Sequence, residues 1–401
     1  MIKFENISKH YGTHKAVDNI NIDIDKGSFV CFIGTSGSGK TTSMRMINKM
    51  VRPTKGKITI DGKNISDIND VTLRRSIGYV IQQIGLMPHM TIYDNIVMVP
   101  KLLKYDKDKM RSIAEDLMKR VDLPLSLLDA YPSELSGGMQ QRIGVIRALA
   151  ADQDIILMDE PFGALDPITR DSLQKLLKEL QVELNKTVVF VTHDMDEALN
   201  MADKIVIMDH GKIIQQGTPQ DILMEPANDF VKDLIGEDRL NQAVFEYQSV
   251  EEIMIDAVRV SQDKTIGQAA YLMRTRKIDD ILVVDNENTL VGRVDLMALM
   301  NRDKQDTQIS QIMKKVTYIP NTTTIRDAIY YVQDLGYRNL SVVDSDGKLL
   351  GIVTRSAIVD RVYDALWQSY EPELVEDEVD IDEDKVTAAA TLSQNGDDLT
   401  C

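Results

Sequence analysis

Short runs, most of them largely apolar, recur through the first 236 residues, separated by longer stretches in which apolar positions return every three or four residues. The runs fall at 2–7, 29–33, 78–82, 155–159, 188–192 and 205–208. Apolar runs of this length, rich in β-branched residues, predict strands buried on both faces, and the intervening pattern predicts helices. Their alternation predicts an α/β fold with a mostly parallel sheet. Residues 85–140 carry helical periodicity without a strand, so a helical subdomain is expected there. Glycines and prolines at Gly211, Gly217, Pro219 and Pro226 close this part of the chain.

Beyond Gly236 the pattern changes and an internal repeat appears. Ile253-Met254 recurs as Ile312-Met313, Thr265-Ile266 as Thr324-Ile325, Ala269 as Ala328, Val283-Val284-Asp285 as Val342-Val343-Asp344 and Gly292 as Gly351, always 59 residues apart. Each unit reads helix, strand, short turn, strand, helix. The predicted layout is a first domain over 1–236, a linker over 237–249, and two α+β repeats over 250–305 and 310–366.

Charge adds one more region. The 401-residue chain carries a net −17, of which residues 371–401 hold −10, with eleven acids against one lysine. That stretch lacks aromatics and reads as a disordered acidic tail. It serves either to keep the chain soluble or to sense ionic strength against a charged surface. The overall sign argues against nucleic-acid binding, which wants a basic face. No apolar run approaches twenty residues, so membrane contact is expected through a partner. The start Met1-Ile2-Lys3-Phe4-Glu5 reads as a first strand rather than a signal peptide. The two cysteines, Cys31 and Cys401, imply no disulfide framework, which fits a reducing cytosol.

The chemistry begins after the second apolar run. Gly34-Thr35-Ser36-Gly37-Ser38-Gly39-Lys40-Thr41 fits G-x-x-x-x-G-K-[ST], and the helical stretch from Thr42 to Met50 follows it. Glycines let consecutive N–H groups converge on a phosphate, and a helix N-terminus adds partial positive charge. Lys40 then reaches the β- and γ-phosphates, and Thr41 offers its hydroxyl to Mg²⁺. A second small-residue turn, Leu135-Ser136-Gly137-Gly138-Met139-Gln140-Gln141-Arg142, opens another helix and is a further candidate anion site. The run 155–159 ends in Asp159-Glu160. Asp159 is placed to serve Mg²⁺, and Glu160 to orient and deprotonate a water. His193 follows the next run, at a strand end, where ligands bind in open α/β sheets.

Together these elements resemble the ATPase subunit of an ABC transporter over roughly residues 1–236. The resemblance implies further roles. Tyr11 stacks on adenine. Gln82 touches Mg²⁺ and the attacking water, with Gln83 beside it as the alternative. Ser136, Gly137, Gly138 and Gln140 reach the γ-phosphate of ATP held by a second copy of the chain. Gly163-Ala164-Leu165-Asp166 links the two sites, and His193 stabilises the γ-phosphate. It also implies a head-to-tail pair glued by ATP, and a groove that receives a helix of a membrane permease. Leu86, Met87 and Met90 are candidates either for that groove or for the core. Non-transport relatives of the family carry two ATPase domains or a long coiled-coil insertion, and this chain carries neither. A purely regulatory binder is disfavoured by the intact set Lys40, Asp159, Glu160 and His193.

The repeats resemble a tandem pair of CBS domains, whose clefts often hold adenine nucleotides. Ribose-binding repeats of that family place Asp three positions after a Thr or Ser. Here Thr354 is followed by Ala357, and the first repeat has Asp295 at the equivalent position. Ordinary AMP or ATP binding is therefore not expected. A different anionic ligand is expected, with Arg355 on a phosphate, Tyr337 and Ile352 over a base, and Thr354 nearby. An ABC ATPase with paired CBS domains resembles the energising subunits of bacterial importers for glycine betaine, carnitine or choline. Such subunits sit at the cytoplasmic face of the membrane and work with permease subunits and, indirectly, an extracytoplasmic binding protein. Some respond to cyclic di-AMP at a CBS dimer and others to ionic strength; the Thr354-Arg355 pair favours the dinucleotide.

Overall fold

A computed structural model describes residues 1–81, 85–163, 165–299 and 306–367. Gln82, Gln83, Ala164 and the acidic tail therefore lie outside the described residues. The six predicted runs appear as strands Ile2–Tyr11, Phe29–Gly34, Ile77–Val80, Ile155–Asp159, Thr187–Val191 and Lys204–Asp209. Five of them pair in parallel in the order 204–209, 29–34, 187–191, 155–159, 77–80. The strand Lys212–Gly217 extends this sheet as an antiparallel edge. The sixth run, Ile2–Tyr11, belongs to a separate antiparallel sheet with His14–Ile24, Lys55–Ile60 and Lys63–Asn64.

The period-two geometry of a strand explains why the central parallel strands are apolar on both faces. Val30, Phe32, Leu157, Val189 and Val191 face the antiparallel sheet, packing against Ile2, Phe4, Ile20 and Ile22. Cys31, Ile33, Ile156, Met158, Val188 and Phe190 face the helices. The region 85–140 is helical as expected, with Ile92–Ile96, Met98–Leu102 and Lys107–Arg120 followed by two short 3-10 turns. Thr91 and Asp106 cap the first and third of these helices by accepting from the N–H groups of Asp94 and Lys109. The helix Gly137–Leu149 then packs on the strand Ile77–Val80.

Each repeat forms a three-stranded sheet: Arg259–Ser261, Asp280–Val284 and Leu290–Asp295 in the first, Tyr318–Pro320, Asn339–Val343 and Leu349–Thr354 in the second. The short first strand of each sheet is an addition to the predicted pattern; three residues are too few to show a period. Backbone bridges reveal a pseudo-twofold axis. Ser249 pairs with Thr324 and Thr265 with Gln308, while Ile255 pairs with Ile352 and Arg293 with Lys314. In each case the second bridge is the first with the repeats exchanged. The repeated glycines follow from this close approach: a Cβ on Gly292 would lie 2.9 Å from the Lys314 carbonyl, and one on Gly351 would lie 2.7 Å from that of Ile255.

The connecting segment folds as the helix Glu237–Tyr247. Its Leu240 packs against the core of the first domain and its Phe245 against that of the second repeat. No helix among the described residues is long and apolar enough to cross a membrane.

Candidate functional site

Three neighbouring parallel strands, 29–34, 187–191 and 155–159, bring the phosphate loop, His193 and the Asp159-Glu160 pair to one edge of the sheet. This is the carboxyl edge at which open α/β sheets bind ligands. The loop's shape depends on glycine. Gly39 has a φ of 102°, and a Cβ there would meet the Ala16 carbonyl at 2.6 Å. The Lys40 ammonium is buried and donates to the carbonyls of Gly34 and Thr35, each at 2.8 Å. Burial pushes it below the ordinary lysine range, opposed by Glu160 and Asp159. Thr35 donates to Asp209 at 3.3 Å and so ties the loop to the next strand. Ser36 and Gly37 are exposed, and Thr42 is half-buried on the first helical turn. The Ser38 hydroxyl is buried with no hydrogen-bond partner among the described residues. A buried cation and an orphaned hydroxyl in one loop fit an anionic phosphate.

Thr41 donates to Asp159 Oδ1 at 2.8 Å. Mg²⁺ takes one or two protein oxygens together with substrate phosphates, and this hydroxyl–carboxylate pair fits that donor set. Asp159 is 3 % exposed, and its second oxygen accepts from Arg45 at 3.1 Å. Arg45 was not among the expected site residues. It stands four positions after Thr41 and so shares a helix face with it, a spacing that was there to be read.

Glu160 adopts a φ of 45°, the left-handed region. That costs a non-glycine residue on the order of 1–2 kcal/mol, and such conformations concentrate at functional positions. Its N–H donates to the Val191 carbonyl at 2.9 Å, locking the turn to the adjacent strand. Its carboxylate stands 3.5 Å from Nδ1 of the largely exposed His193.

The signature turn stands apart from this cluster. Ser136 caps the helix Gly137–Leu149 by accepting from the Met139 N–H at 3.4 Å, leaving Gly137 exposed and Gly138 half-buried on its first turn. Gln140 spends its amide on the Pro132 and Leu135 carbonyls at 2.9 and 3.1 Å, so it shapes the turn. Among the described residues no hydrogen bond joins this turn to the phosphate loop. Tyr11 is 52 % exposed, with the Lys9 ammonium 4.8 Å from its ring centroid. Of the groove candidates, Met87 is exposed, Met90 is half-buried, and Leu86 packs against the core. Asn95 holds the 87–91 turn with four hydrogen bonds, and sequence reasoning missed it.

A second candidate site lies between the repeats. A cavity of about 360 Å³ is lined by Tyr337, Ile352 and Thr354 of the second repeat and by Asp256, Asp280 and Arg293 of the first. Burial, with Asp279 nearby, raises the Asp280 carboxyl above its ordinary range. Arg355 does not line this cavity. It lines a neighbouring groove, where Tyr337 again forms part of the wall. The four expected ligand residues are thus divided between two hollows that meet at Tyr337. Thr354 accepts from the Ala357 N–H at 3.2 Å, and its counterpart Asp295 accepts from Ala298 at 2.9 Å, so both act as helix caps. Asp295 also pairs with Lys314 at 2.6 Å, which offsets its negative charge.

Comparisons with known proteins agree with this architecture. Residues 17–163 match the ABC transporter family, and residues 250–304 and 309–364 match the CBS domain. The carnitine transport ATP-binding protein OpuCA of Listeria monocytogenes is 54 % identical, covering 92 % of this chain and 94 % of that protein. The glycine betaine/carnitine/choline transport ATP-binding protein OpuCA of Bacillus subtilis is 52 % identical, covering 94 % of this chain and all of that one. The dimeric, post-hydrolysis structure of the ATP-binding cassette MJ0796 bound to ADP and Pi aligns at a TM-score of 0.50 and 36 % identity. It covers 55 % of this chain. The chain belongs to the family of ABC transporter ATP-binding proteins, and it carries two CBS domains after its ATPase domain.

Proposed function

We propose that this ATPase powers uptake of quaternary ammonium osmoprotectants of the glycine betaine, carnitine and choline type, under control of its CBS repeats. The observation that carries the catalytic half is the meeting of Lys40, Thr41, Asp159, Glu160 and His193 at adjacent strand ends. Lys40 and the loop amides hold the β- and γ-phosphates of ATP, and Tyr11 stacks on adenine. Thr41 and Asp159 hold Mg²⁺, with Gln82 as the expected third contributor. The ion supplies charge neutralisation on the phosphates. Glu160 takes the proton of the attacking water, and His193, beside it, donates to the γ-phosphate. Ser136, Gly137 and Gly138 serve the ATP of a second copy. Two chains pair head to tail around two nucleotides, and hydrolysis separates them.

The transport half rests on likeness. Relatives named for carnitine and for glycine betaine/carnitine/choline transport share more than half of their residues with this chain over nearly its whole length. The chain acts at the cytoplasmic face of the membrane, docked to permease subunits around Met87, with an extracytoplasmic binding protein delivering the solute. Cyclic di-AMP is the proposed regulator, its bases against Tyr337 and Ile352 and a phosphate on Arg355. Support comes from Arg355, which has no ion pair among the described residues, and from the shared wall at Tyr337. The acidic tail keeps ionic strength as the alternative regulator.

Uptake of labelled choline, carnitine and glycine betaine, in cells carrying the chain with its permease, tests the transport reading. Uptake of at least one is expected, and Lys40→Ala is expected to abolish it. Uptake unaffected by Lys40→Ala refutes the reading. Calorimetry of the full chain with cyclic di-AMP tests the regulator: no heat at micromolar ligand, or binding unchanged in Arg355→Ala, rejects it.

A further inference from the structure

We propose that Arg239 is a positioning residue that carries the state of the second CBS repeat to His193. The inference rests on the reading of Glu160 and His193 as the hydrolytic pair. It starts from an ion pair that joins two parts of the chain far apart in sequence. Arg239 Nε and Nη2 donate to both oxygens of Asp196, at 2.6 and 2.7 Å, and its Nη1 donates to the Ile235 carbonyl at 2.8 Å. The guanidinium is thus committed in three directions, and its two-pronged grip fixes angle as well as distance.

Asp196 lies in the first turn of the helix Met195–Met201, which begins two residues after His193. That turn and the histidine move as one piece. Asp194 caps the helix by accepting from the Asp196 and Glu197 N–H groups at 2.9 and 3.4 Å. The Asp194 N–H donates to Thr192 Oγ1 at 3.0 Å, and that hydroxyl donates to Glu197 at 2.6 Å. Residues 192, 194 and 197 therefore close a hydrogen-bonded ring across the chain at His193, and Asp196 is tied to it through Asp194. A pull on Asp196 is a pull on the imidazole that stands 3.5 Å from Glu160.

At its other end, the helix that carries Arg239 is fastened to the second repeat. Glu246 pairs with Arg326 at 3.0 Å, the Gln248 carbonyl accepts from the Ile325 N–H at 3.0 Å, and Arg361 donates to the Gln248 side chain at 2.9 Å. Arg239, Ala243 and Glu246 recur at i, i+4 and i+7, so one helix face runs from the histidine side to the repeat. Ala243 is buried on that face. A rise of about 1.5 Å per residue makes this face a lever roughly 10 Å long. Its pivot is Gly236, whose φ of 87° joins the helix to the preceding one, Asp229–Ile235. A rotation of the second repeat about this pivot shifts Asp196 and with it His193.

Steady-state ATP hydrolysis by the full chain tests the proposal, with kcat and KM measured for Arg239→Ala, Arg326→Glu and the double variant. The ATP-holding residues are untouched, so KM for ATP is expected to stay constant. An exposed but bidentate pair supports a fall in kcat of about three- to fivefold for Arg239→Ala. Exchanging the charges, Arg239→Asp with Asp196→Arg, should restore part of it. Arg326→Glu should alter kcat in the wild-type background and change nothing further once Arg239 is Ala. Equal effects of Arg326→Glu in both backgrounds, or wild-type kcat in Arg239→Ala, overturn the coupling. A fall in melting temperature without a change in kcat overturns it too. Glu160→Gln separates the two claims. If it abolishes turnover while Arg239→Ala is inert, only the coupling fails; if it retains full turnover, the hydrolytic assignment fails.

Discussion

Glu160→Gln is the substitution that isolates proton abstraction from everything else the residue does. The backbone of Glu160 is fixed by its N–H to the Val191 carbonyl at 2.9 Å, and a glutamine leaves that bond intact. The amide has nearly the size of the carboxylate, and its oxygen still stands where His193 Nδ1 approaches at 3.5 Å. What disappears is a base. Positioned general bases contribute about 10²–10⁴-fold, which is about 3–5 kcal/mol of barrier. Phosphate release by the full chain at saturating ATP should therefore fall at least a hundredfold. ATP affinity, read by fluorescent-nucleotide displacement, should change by less than about threefold, because a group that acts on the water alone contributes little to ground-state binding. If hydrolysis separates the proposed head-to-tail pair, the variant should also accumulate as an ATP-bound dimer in sedimentation. A kcat within fivefold of wild type would refute the assignment of Glu160 as base. A large rise in KM with kcat intact would mean that the residue binds nucleotide instead.

Other consequences concern stability and pH. Asn95→Ala removes four hydrogen bonds from a fully buried side chain, at a cost of about 3 kcal/mol. Thermal melting should fall by roughly 8 °C, and permease docking at the 87–91 turn should weaken with it; an unchanged melting curve contradicts the role given to Asn95. Gly39→Ala forces a Cβ to within 2.6 Å of the Ala16 carbonyl at a φ of 102°, so ATP binding should drop at least tenfold while the fold survives; wild-type affinity would show that the loop tolerates distortion. Arg239 holds the Asp196 carboxyl below its usual range. The stability from that pair is present above the unfolded value, about pH 4, and is lost as pH falls through the lowered folded one. The melting difference between wild type and Arg239→Ala should thus stay constant from pH 7 to 5 and shrink only below about pH 4. A difference that vanishes near pH 6 would mean that another group carries it.

Much of the nucleotide-binding fold was legible because buried parallel strands must be apolar on both faces. The runs 29–33, 155–159 and 188–192 are each found within a residue or two of their observed strands. The antiparallel sheet was missed although Ile20-Asn21-Ile22-Asp23-Ile24 shows the alternation of a half-buried strand. A strand with one solvated face alternates and so carries no continuous apolar run. The repeat was legible through Gly292 and Gly351, whose spacing records a close backbone crossing that tolerates no side chain. Lys40, Thr41, Asp159, Glu160 and His193 were singled out because each sits at a strand end or in a motif of fixed spacing, and the fold gathers them at one edge of the sheet. Arg45 had a readable signal in its spacing from Thr41, but Asn95 and Arg239 had none. Arg239 and Asp196 lie 43 residues apart and follow no local rule. The division of Tyr337, Ile352 and Thr354 from Arg355 was equally beyond reach: adjacent residues at a strand–helix junction point to different hollows, and only the fold decides which.

The most direct test of the account is substrate-stimulated ATP hydrolysis in proteoliposomes containing the chain and its membrane subunits, with glycine betaine, carnitine and choline titrated on the side of the extracytoplasmic binding protein. At least one of the three should raise hydrolysis and be taken up in proportion, and Glu160→Gln should abolish both responses. Hydrolysis indifferent to all three, or uptake that persists in Glu160→Gln, would contradict it.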